Sequence, residues 1–121
     1  MNNEFIPYEQ ALELKVLGFD KPCFAFYDES LYFPNNENQY GTFCNQKLDA
    51  SSCSAPTFSQ AFRFFREKEF YCIIYKYHDG FAYEVYGEGL QIIKEPFNTY
   101  EEAELACLNK LIEIVKQPKK D

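Results

Sequence analysis

The chain has 121 residues, a mass of 14.3 kDa and a net charge of −7, and its 13 Phe and 10 Tyr make up 19% of the sequence. This aromatic content excludes a disordered chain, and the length fits one domain over residues 1–121. The negative charge disfavours general binding to nucleic acid or to an anionic membrane, because a polyanion is repelled at long range.

The chain has an odd number of cysteines, and no two of them form a C-x-x-C motif. They are Cys23, Cys44, Cys53, Cys72 and Cys107. Disulfide frameworks use an even set, and zinc sites use closely spaced ligands. We therefore expect reduced cysteines, with no metal and no cofactor. The start of the chain has no signal-peptide pattern, and no apolar run is long enough to span a bilayer. The predicted location is the cytoplasm, away from any membrane.

The first helix is predicted over residues 7–17. Pro7 suits the first helical position, and Glu9 lies in the first turn, where the positive end of the helix dipole favours a carboxylate. Gly18 is well placed to end the helix in a left-handed conformation.

A hairpin and a long polar loop are predicted next. The β-rich run 22–27 and the short run 31–33 flank turn-forming residues 28–30, which is typical of a hairpin. Residues 34–56 are rich in Asn, Ser and Gln and are predicted to form a long surface loop. A strand over residues 40–44 is the alternative.

The second helix is predicted to begin at a capping box formed by Thr57 and Gln60. The apolar residues that recur at helical spacing, and are predicted to face the core, are Phe58, Ala61, Phe62 and Phe65. Phe64 lies on the flank of that stripe, so we expect its ring to be half covered.

Residues 70–77 give the clearest strand pattern, and Asp79-Gly80 is the strongest short hairpin signal. We predict a two-residue turn at Asp79-Gly80, which pairs Ile74 with Val85. A third strand over residues 90–94 follows after a turn at residues 87–89.

The period of two assigns the strand residues to two faces. One face carries Cys72, Ile74, Tyr83 and Val85. The other carries Tyr71, Ile73, Tyr75, Tyr77, Glu84 and Tyr86. Tyrosine combines a large apolar area with a polar tip and is enriched in interface cores. We therefore prefer Tyr71, Tyr75, Tyr77 and Tyr86, with Phe64, as the interaction surface, and leave open which face the helices cover.

The last helix is predicted over residues 100–116, with a capping box of Thr99 and Glu102 and a frayed tail over residues 117–121. Its predicted core stripe is Tyr100, Ala103, Cys107, Leu111, Ile114 and Val115, widened by Leu105, Leu108 and Ile112. Glu104 falls inside this apolar arc. Its carboxylate therefore either reaches solvent, pairs with a cation such as Lys94, or has a raised pKa.

The element order, α-β-β-(loop)-α-β-β-β-α, predicts an α+β fold with three helices and a mainly antiparallel sheet. His78, the one histidine, lies at a predicted turn with no nucleophile motif nearby. We interpret it as an exposed turn residue, and no catalytic signature stands out elsewhere.

Three blocks of the sequence, in order, resemble a family of small uncharacterised proteins of gut Bacteroidales, their prophages and their phages. The blocks are IPYEQALELKVLGFDKPCFAFYD (Ile6–Asp28), SAPTFSQAFRFFREK (Ser54–Lys68) and FNTYEEAELACLNKLIEIVK (Phe97–Lys116). One departure is Phe64, where the family more often has Trp. The resemblance implies a bacterial cytosol and a phage or prophage gene, and it carries over no activity, cofactor or catalytic residue.

Three functions are compatible with these patterns. We favour a non-enzymatic module that binds a protein partner, or self-associates, through an acidic, tyrosine-rich surface. The first alternative is a nucleic-acid-binding module that uses a basic strip of Arg63, Arg66, Lys68 and Lys76. The second is an enzyme or small-ligand binder with a pocket between the long loop and the sheet, near His78 or Glu104.

Overall fold

The computed structural model describes residues 4–21, 23, 25–28, 30–32 and 52–116. The helices are α1 (Tyr8–Val16), α2 (Phe58–Glu67) and α3 (Tyr100–Lys116). The strands are β1 (Phe26–Asp28), β2 (Ser30–Tyr32), β3 (Cys53–Ser54), β4 (Tyr71–Tyr77), β5 (Gly80–Gly87) and β6 (Leu90–Phe97). The predicted α+β class with three helices is confirmed.

The strands form two antiparallel sheets, ordered β2-β1-β3 and β4-β5-β6, where the sequence predicted a single sheet. The chain accordingly divides into two compact units, residues 1–61 and 62–121, and the boundary falls inside α2. The alternative strand over residues 40–44 and the predicted tail over residues 117–121 lie outside the described residues.

Gly18 ends α1 as predicted. Its φ is +99°, and the backbone N–H of Phe19 donates to the carbonyl oxygen of Leu14 at 2.9 Å, while the N–H of Gly18 donates to that of Lys15 at 3.1 Å. This pair of bonds satisfies carbonyls that a helix end leaves without partners. The predicted hairpin is also present, because β1 and β2 pair with Tyr27 opposite Leu31.

The last part of the predicted long loop is instead a buried strand. Residues 52–56 are buried, and Cys53 pairs with Tyr27 of β1. The N–H of Ile6 donates to the Pro56 carbonyl at 3.0 Å, and the Tyr27 hydroxyl donates to the Ile6 carbonyl at 2.7 Å. Small side chains are typical of loops, but they also let a strand pack closely against its neighbours. The prediction of a surface loop up to residue 56 was wrong for this reason.

The capping box that starts α2 is confirmed. The N–H of Gln60 donates to Thr57 Oγ1 at 3.2 Å, and the N–H of Thr57 donates to Gln60 Oε1 at 3.0 Å. The predicted half-covered ring of Phe64 is wrong, since Phe64 is only 8% exposed. Its ring meets that of Phe65 edge to face, while Phe58 and Phe62 are only half-buried. The buried stripe of α2 is therefore rotated toward Phe64.

The β4–β5 hairpin forms, but its turn lies one residue earlier than predicted. Tyr77 pairs with Gly80 and Ile74 with Tyr83, so the turn residues are His78 and Asp79. His78 adopts a φ of +52°, and Gly80 has no positive φ. The glycine serves packing instead, because a Cβ on it would stand 2.5 Å from the carbonyl oxygen of Phe97.

This correction leaves the predicted faces intact. Moving the turn by one residue changes the β5 partner of each β4 residue by two positions, and a shift of two returns each side chain to the same face. On β6, Ile93 pairs with Glu84 and Ile92 with Val85, before an irregularity near the cis Glu95–Pro96 peptide.

Helix α3 packs against β4, β5 and β6. It covers the face that carries Tyr83 and Val85, which are 3% and 0% exposed. The buried residues of α3 are Ala103, Cys107, Leu108, Leu111 and Ile112. Tyr100 was predicted to be core and is 42% exposed, so the buried arc is rotated toward Leu108 and Ile112. At its start, Thr99 Oγ1 accepts the N–H of Glu102 at 3.1 Å, but the Glu102 carboxylate accepts the N–H of Asn98.

Candidate functional site

The second sheet has one face that α3 does not cover, which we call the open face. It consists of Tyr71, Ile73, Tyr75, Tyr77, Ala82, Glu84, Tyr86, Gln91 and Ile93. Four of its large side chains are well exposed: Tyr71 at 39%, Ile73 at 48%, Tyr86 at 38% and Ile93 at 48%. All four tyrosines of the predicted interaction surface lie on this face, whereas Phe64 is buried in α2.

Stacking and hydrogen bonding organise the open face. The rings of Tyr71 and Tyr86, which are directly opposite on β4 and β5, stack with centroids 5.6 Å apart. The Gln91 amide donates to Glu84 Oε2 at 2.7 Å. Glu84 is the one carboxylate among the residues named above, and the Glu95 carboxylate, farther along β6, reaches the Tyr77 hydroxyl of the same face. The surface is apolar and tyrosine-rich, and its predicted acidic character stays a prediction.

Strand β4 is an edge of this sheet. The described strand order is β4-β5-β6, so one side of β4 pairs with β5 and the other pairs with no described strand. Its sequence, YCIIYKY, is rich in aromatic and β-branched residues and carries a single charge, that of Lys76. Exposed edges with this composition are templates for pairing with another strand.

A shallow cavity lies at the end of the sheet near His78. It has a volume of about 410 Å³ and is lined by residues of the β4–β5 turn and of the C-terminal end of β6. The Glu95 carboxylate accepts a hydrogen bond from the Tyr77 hydroxyl, and its charge and this bond raise the pKa of Tyr77. The His78 ring meets the Tyr77 ring edge-on at 4.3 Å. This cavity holds the one histidine but is widely open to solvent.

The four candidate nucleic-acid contacts, Arg63, Arg66, Lys68 and Lys76, are all exposed. Two of them lie over aromatic rings. The Lys68 ammonium is 4.9 Å from the Phe64 centroid, and that of Lys76 is 5.0 Å from the Phe81 centroid. Lys76 belongs to the α3 side of its strand, so it points away from the open face.

Glu104 lies in the apolar part of α3, as its position predicts. Burial raises the pKa of its carboxyl, and the charge of Glu101 raises it further. The pairing with Lys94 that the sequence left open stays a prediction. The carboxylate in turn raises the pKa of Tyr100, after the larger effect of burial.

This environment predicts a pH-dependent stability. Because the carboxyl of Glu104 has a higher pKa in the folded than in the unfolded chain, its contribution is fully present below the unfolded pKa and is lost as pH rises through the folded pKa. We therefore expect Glu104→Gln to raise the free energy of unfolding at neutral pH, by less than about 1 kcal/mol because the side chain is partly solvated.

Urea unfolding of both proteins at neutral and at low pH measures the effect. The two proteins should differ at neutral pH and coincide near pH 3, where the carboxyl is protonated in both states. A variant that is less stable at neutral pH would show that Glu104 makes a favourable charged contact.

No family model, curated protein or solved structure matches the chain. The resemblance of the three sequence blocks to a family of Bacteroidales and phage proteins therefore stays a prediction. Within the described residues, no helix is long and apolar enough to cross a membrane, and no group of three His, Cys, Asp or Glu side chains could hold a metal ion.

Proposed function

We propose that this protein is a non-enzymatic interaction module that self-associates, with β4 of a second copy pairing along β4. The observation that carries the proposal is the outer side of β4, which pairs with no described strand, and Ile73 on the same strand is 48% exposed. Exposed apolar area of this kind, organised by stacked tyrosines rather than scattered, is typical of protein interfaces.

A second copy fits the edge at β4, which pairs with no described strand, because the pairing is self-complementary. In the β4–β5 hairpin, Tyr77 and Gly80 flank a two-residue turn and form a hydrogen-bonded pair. Alternation along the strand then directs the N–H and C=O groups of Cys72, Ile74 and Lys76 to the outside. An antiparallel copy centred on Ile74 aligns these groups with their equivalents, which is the isologous contact that a two-fold dimer needs.

Charge supports the same occupant. Two chains with a net charge of −7 repel each other at long range, so a contact between two copies has to avoid further repulsion between facing carboxylates. Strand β4 has no acidic residue, and Glu84, the acidic residue of the open face, is held by Gln91. The contact involves one seven-residue strand and its neighbours, so we expect an interface at the small end of the range and a concentration-dependent dimer.

The bacterial, phage-associated and cytoplasmic setting is part of this proposal. It is supported by the three sequence blocks alone.

A charge at the centre of β4 should prevent the dimer. In the proposed pairing Ile73 lies opposite Tyr75 of the second copy, and the two Ile73 side chains are diagonal neighbours. Ile73→Lys places two like charges about 7–8 Å apart and adds the type of residue that protects natural edge strands. We expect the wild-type protein to dimerise with rising concentration and this variant to stay monomeric in sedimentation equilibrium.

Ile93→Lys is the matched control. Ile93 has the same exposure on the same face but lies on β6, two strands away from the proposed contact. It should leave the dimer intact. A wild-type protein that is monomeric throughout, or a dimer that Ile93→Lys disrupts and Ile73→Lys does not, would overturn the proposal. Retardation of nucleic acid that weakens steeply with salt would instead support the basic-strip alternative.

A further inference from the structure

Two cysteines from different elements meet between α3 and the second sheet. Cys72 lies on β4, on the side that α3 covers, and Cys107 lies on α3 with 0% exposure. Their thiols are joined by a side-chain hydrogen bond, although neither is in a disulfide. The residues are 35 positions apart in the chain, so the sequence spacing gives no sign of the pair.

The two thiols differ in their surroundings. Cys107 donates the hydrogen bond to Cys72, which lowers the pKa of Cys72, and the charge of Arg66 lowers it too, against the opposing effects of burial and of Glu104. The same hydrogen bond and burial raise the pKa of Cys107. Cys72 is only half-buried, whereas Cys107 is fully buried. Redox-sensing pairs commonly combine a partly exposed cysteine, whose environment favours the thiolate, with a neighbouring cysteine that stays protonated.

We propose that Cys72 and Cys107 are a redox modification site, at which a hydroperoxide converts the two thiols into a reversible intramolecular disulfide. The Cys72 thiolate attacks the peroxide, its sulfur takes one oxygen, and the O–O bond breaks to release water or an alcohol after protonation. The Cys107 thiol then attacks the sulfenic sulfur of Cys72, the S–O bond breaks, and water leaves with the proton from Cys107. Two thiols are oxidised and one peroxide is reduced.

Among the described cysteines of the first unit, none is as accessible to a peroxide as Cys72. Cys23 and Cys53 are both fully buried. Burial raises the pKa of Cys53 to about 11, although the charge of Lys15 opposes this, so little thiolate is present at neutral pH. Among the described cysteines, oxidation is therefore expected at Cys72 first.

Peptide mapping of the full-length protein tests the proposal directly. Tryptic cleavage leaves Cys72 in the peptide Glu69–Lys76 and Cys107 in the peptide Glu95–Lys110, each with a single cysteine. After treatment with one equivalent of hydrogen peroxide at neutral pH and alkylation of free thiols, we expect these two peptides to be joined, and dithiothreitol to separate them. Joining through other cysteines, or sulfinic acid at Cys72 without a disulfide, would overturn the proposal.

Two variants assign the steps. Cys107→Ala should stop the reaction at the sulfenic acid of Cys72, which a cyclic 1,3-dione traps, and should abolish the joined peptides. Cys72→Ser should leave Cys107 unmodified. Because Cys107 is buried, circular dichroism establishes that its variant folds, and the wild-type mapping remains decisive if it does not. Cys23→Ser, with wild-type disulfide formation expected, is the control; loss of the disulfide there would also contradict the proposal.

Discussion

Replacing Gly87 with alanine is expected to lower the free energy of unfolding by about 2–4 kcal/mol. Gly87 is the last residue of β5 and has a φ of +148°, a backbone conformation that residues with a side chain rarely adopt. A Cβ there would collide with the backbone carbonyl oxygen of Glu69 and approach the Cα of Phe70 to 3.2 Å. Backbone atoms cannot move aside as a flexible side chain can, so the substitution forces β5 away from the chain that leaves α2.

The carbonyl of Glu69 stands there because of how α2 ends. The N–H of Phe70 donates to the Phe65 carbonyl at 2.9 Å, and that of Glu69 to the Arg66 carbonyl at 2.9 Å, which is a Schellman arrangement with Glu69 at a φ of +70°. Gly87 is thus a position where this helix end and the hairpin come into close contact.

Gly89→Ala is the control, because it introduces the backbone strain of a positive φ without the steric collision expected at Gly87. Gly89 also has a positive φ, +81°, but nothing lies within 4 Å of a Cβ built on it. We expect a loss of about 1–2 kcal/mol for this variant. Urea unfolding measures both. Equal losses at the two positions would show that Gly87 does not hold the close approach described above.

Leu111→Ala is expected to lower the free energy of unfolding by about 2–5 kcal/mol, because it leaves a cavity at the centre of the buried arc of α3. Leu111 is 1% exposed, and the arc extends from Ala103 on one side to Ile112 on the other. The helix packs on all three strands of the second sheet, so the cavity weakens the main apolar contact of that unit.

Leu105→Ala is the matched control, since it makes the same change in the same helix at a half-buried position. Helix propensity changes equally in the two variants, and only burial differs. We expect a loss well below that of Leu111→Ala in chemical unfolding. If the Leu105 variant were the less stable one, the buried arc of α3 would have to be rotated away from Leu111.

Local signals in the sequence predict much of the fold. Capping boxes identify the starts of α2 and α3, and Gly18 identifies the end of α1, because these signals depend on a few neighbouring residues. The hairpin turn was misplaced by one residue for the opposite reason. Gly80 lies against the carbonyl of Phe97, which is distant in the sequence and leaves no room for a Cβ. The glycine is therefore explained by a tertiary contact, whereas the local pattern assigns it to the turn.

Burial on the flanks of helices depends on partners that periodicity does not identify. Phe64 is buried, Phe62 is half-buried and Tyr100 is exposed, although the helical wheel predicts a half-covered Phe64 and core positions for Phe62 and Tyr100. Strand β3 escaped prediction because its small residues resemble a loop and its pairing partner, β1, is far away in the sequence.

The sequence predicts which residues share the open face, but it does not predict that this face is the exposed one. Alternation along β4 and β5 places the tyrosines together on one face, and that grouping survives the corrected register. Which face α3 covers depends on the position of α3 over the sheet, and only the structure gives it. The Cys72–Cys107 contact has the same origin, since it forms where α3 crosses β4.

Intermolecular nuclear Overhauser effects can detect the proposed antiparallel pairing of two copies along β4. A sample that mixes isotope-labelled and unlabelled protein, at a concentration where sedimentation detects the dimer, reports only contacts between copies. The predicted result is a set of contacts between Cys72 of one copy and Lys76 of the other, and between the two Ile74 residues. Contacts that involve Ile93 and none from β4 would contradict it.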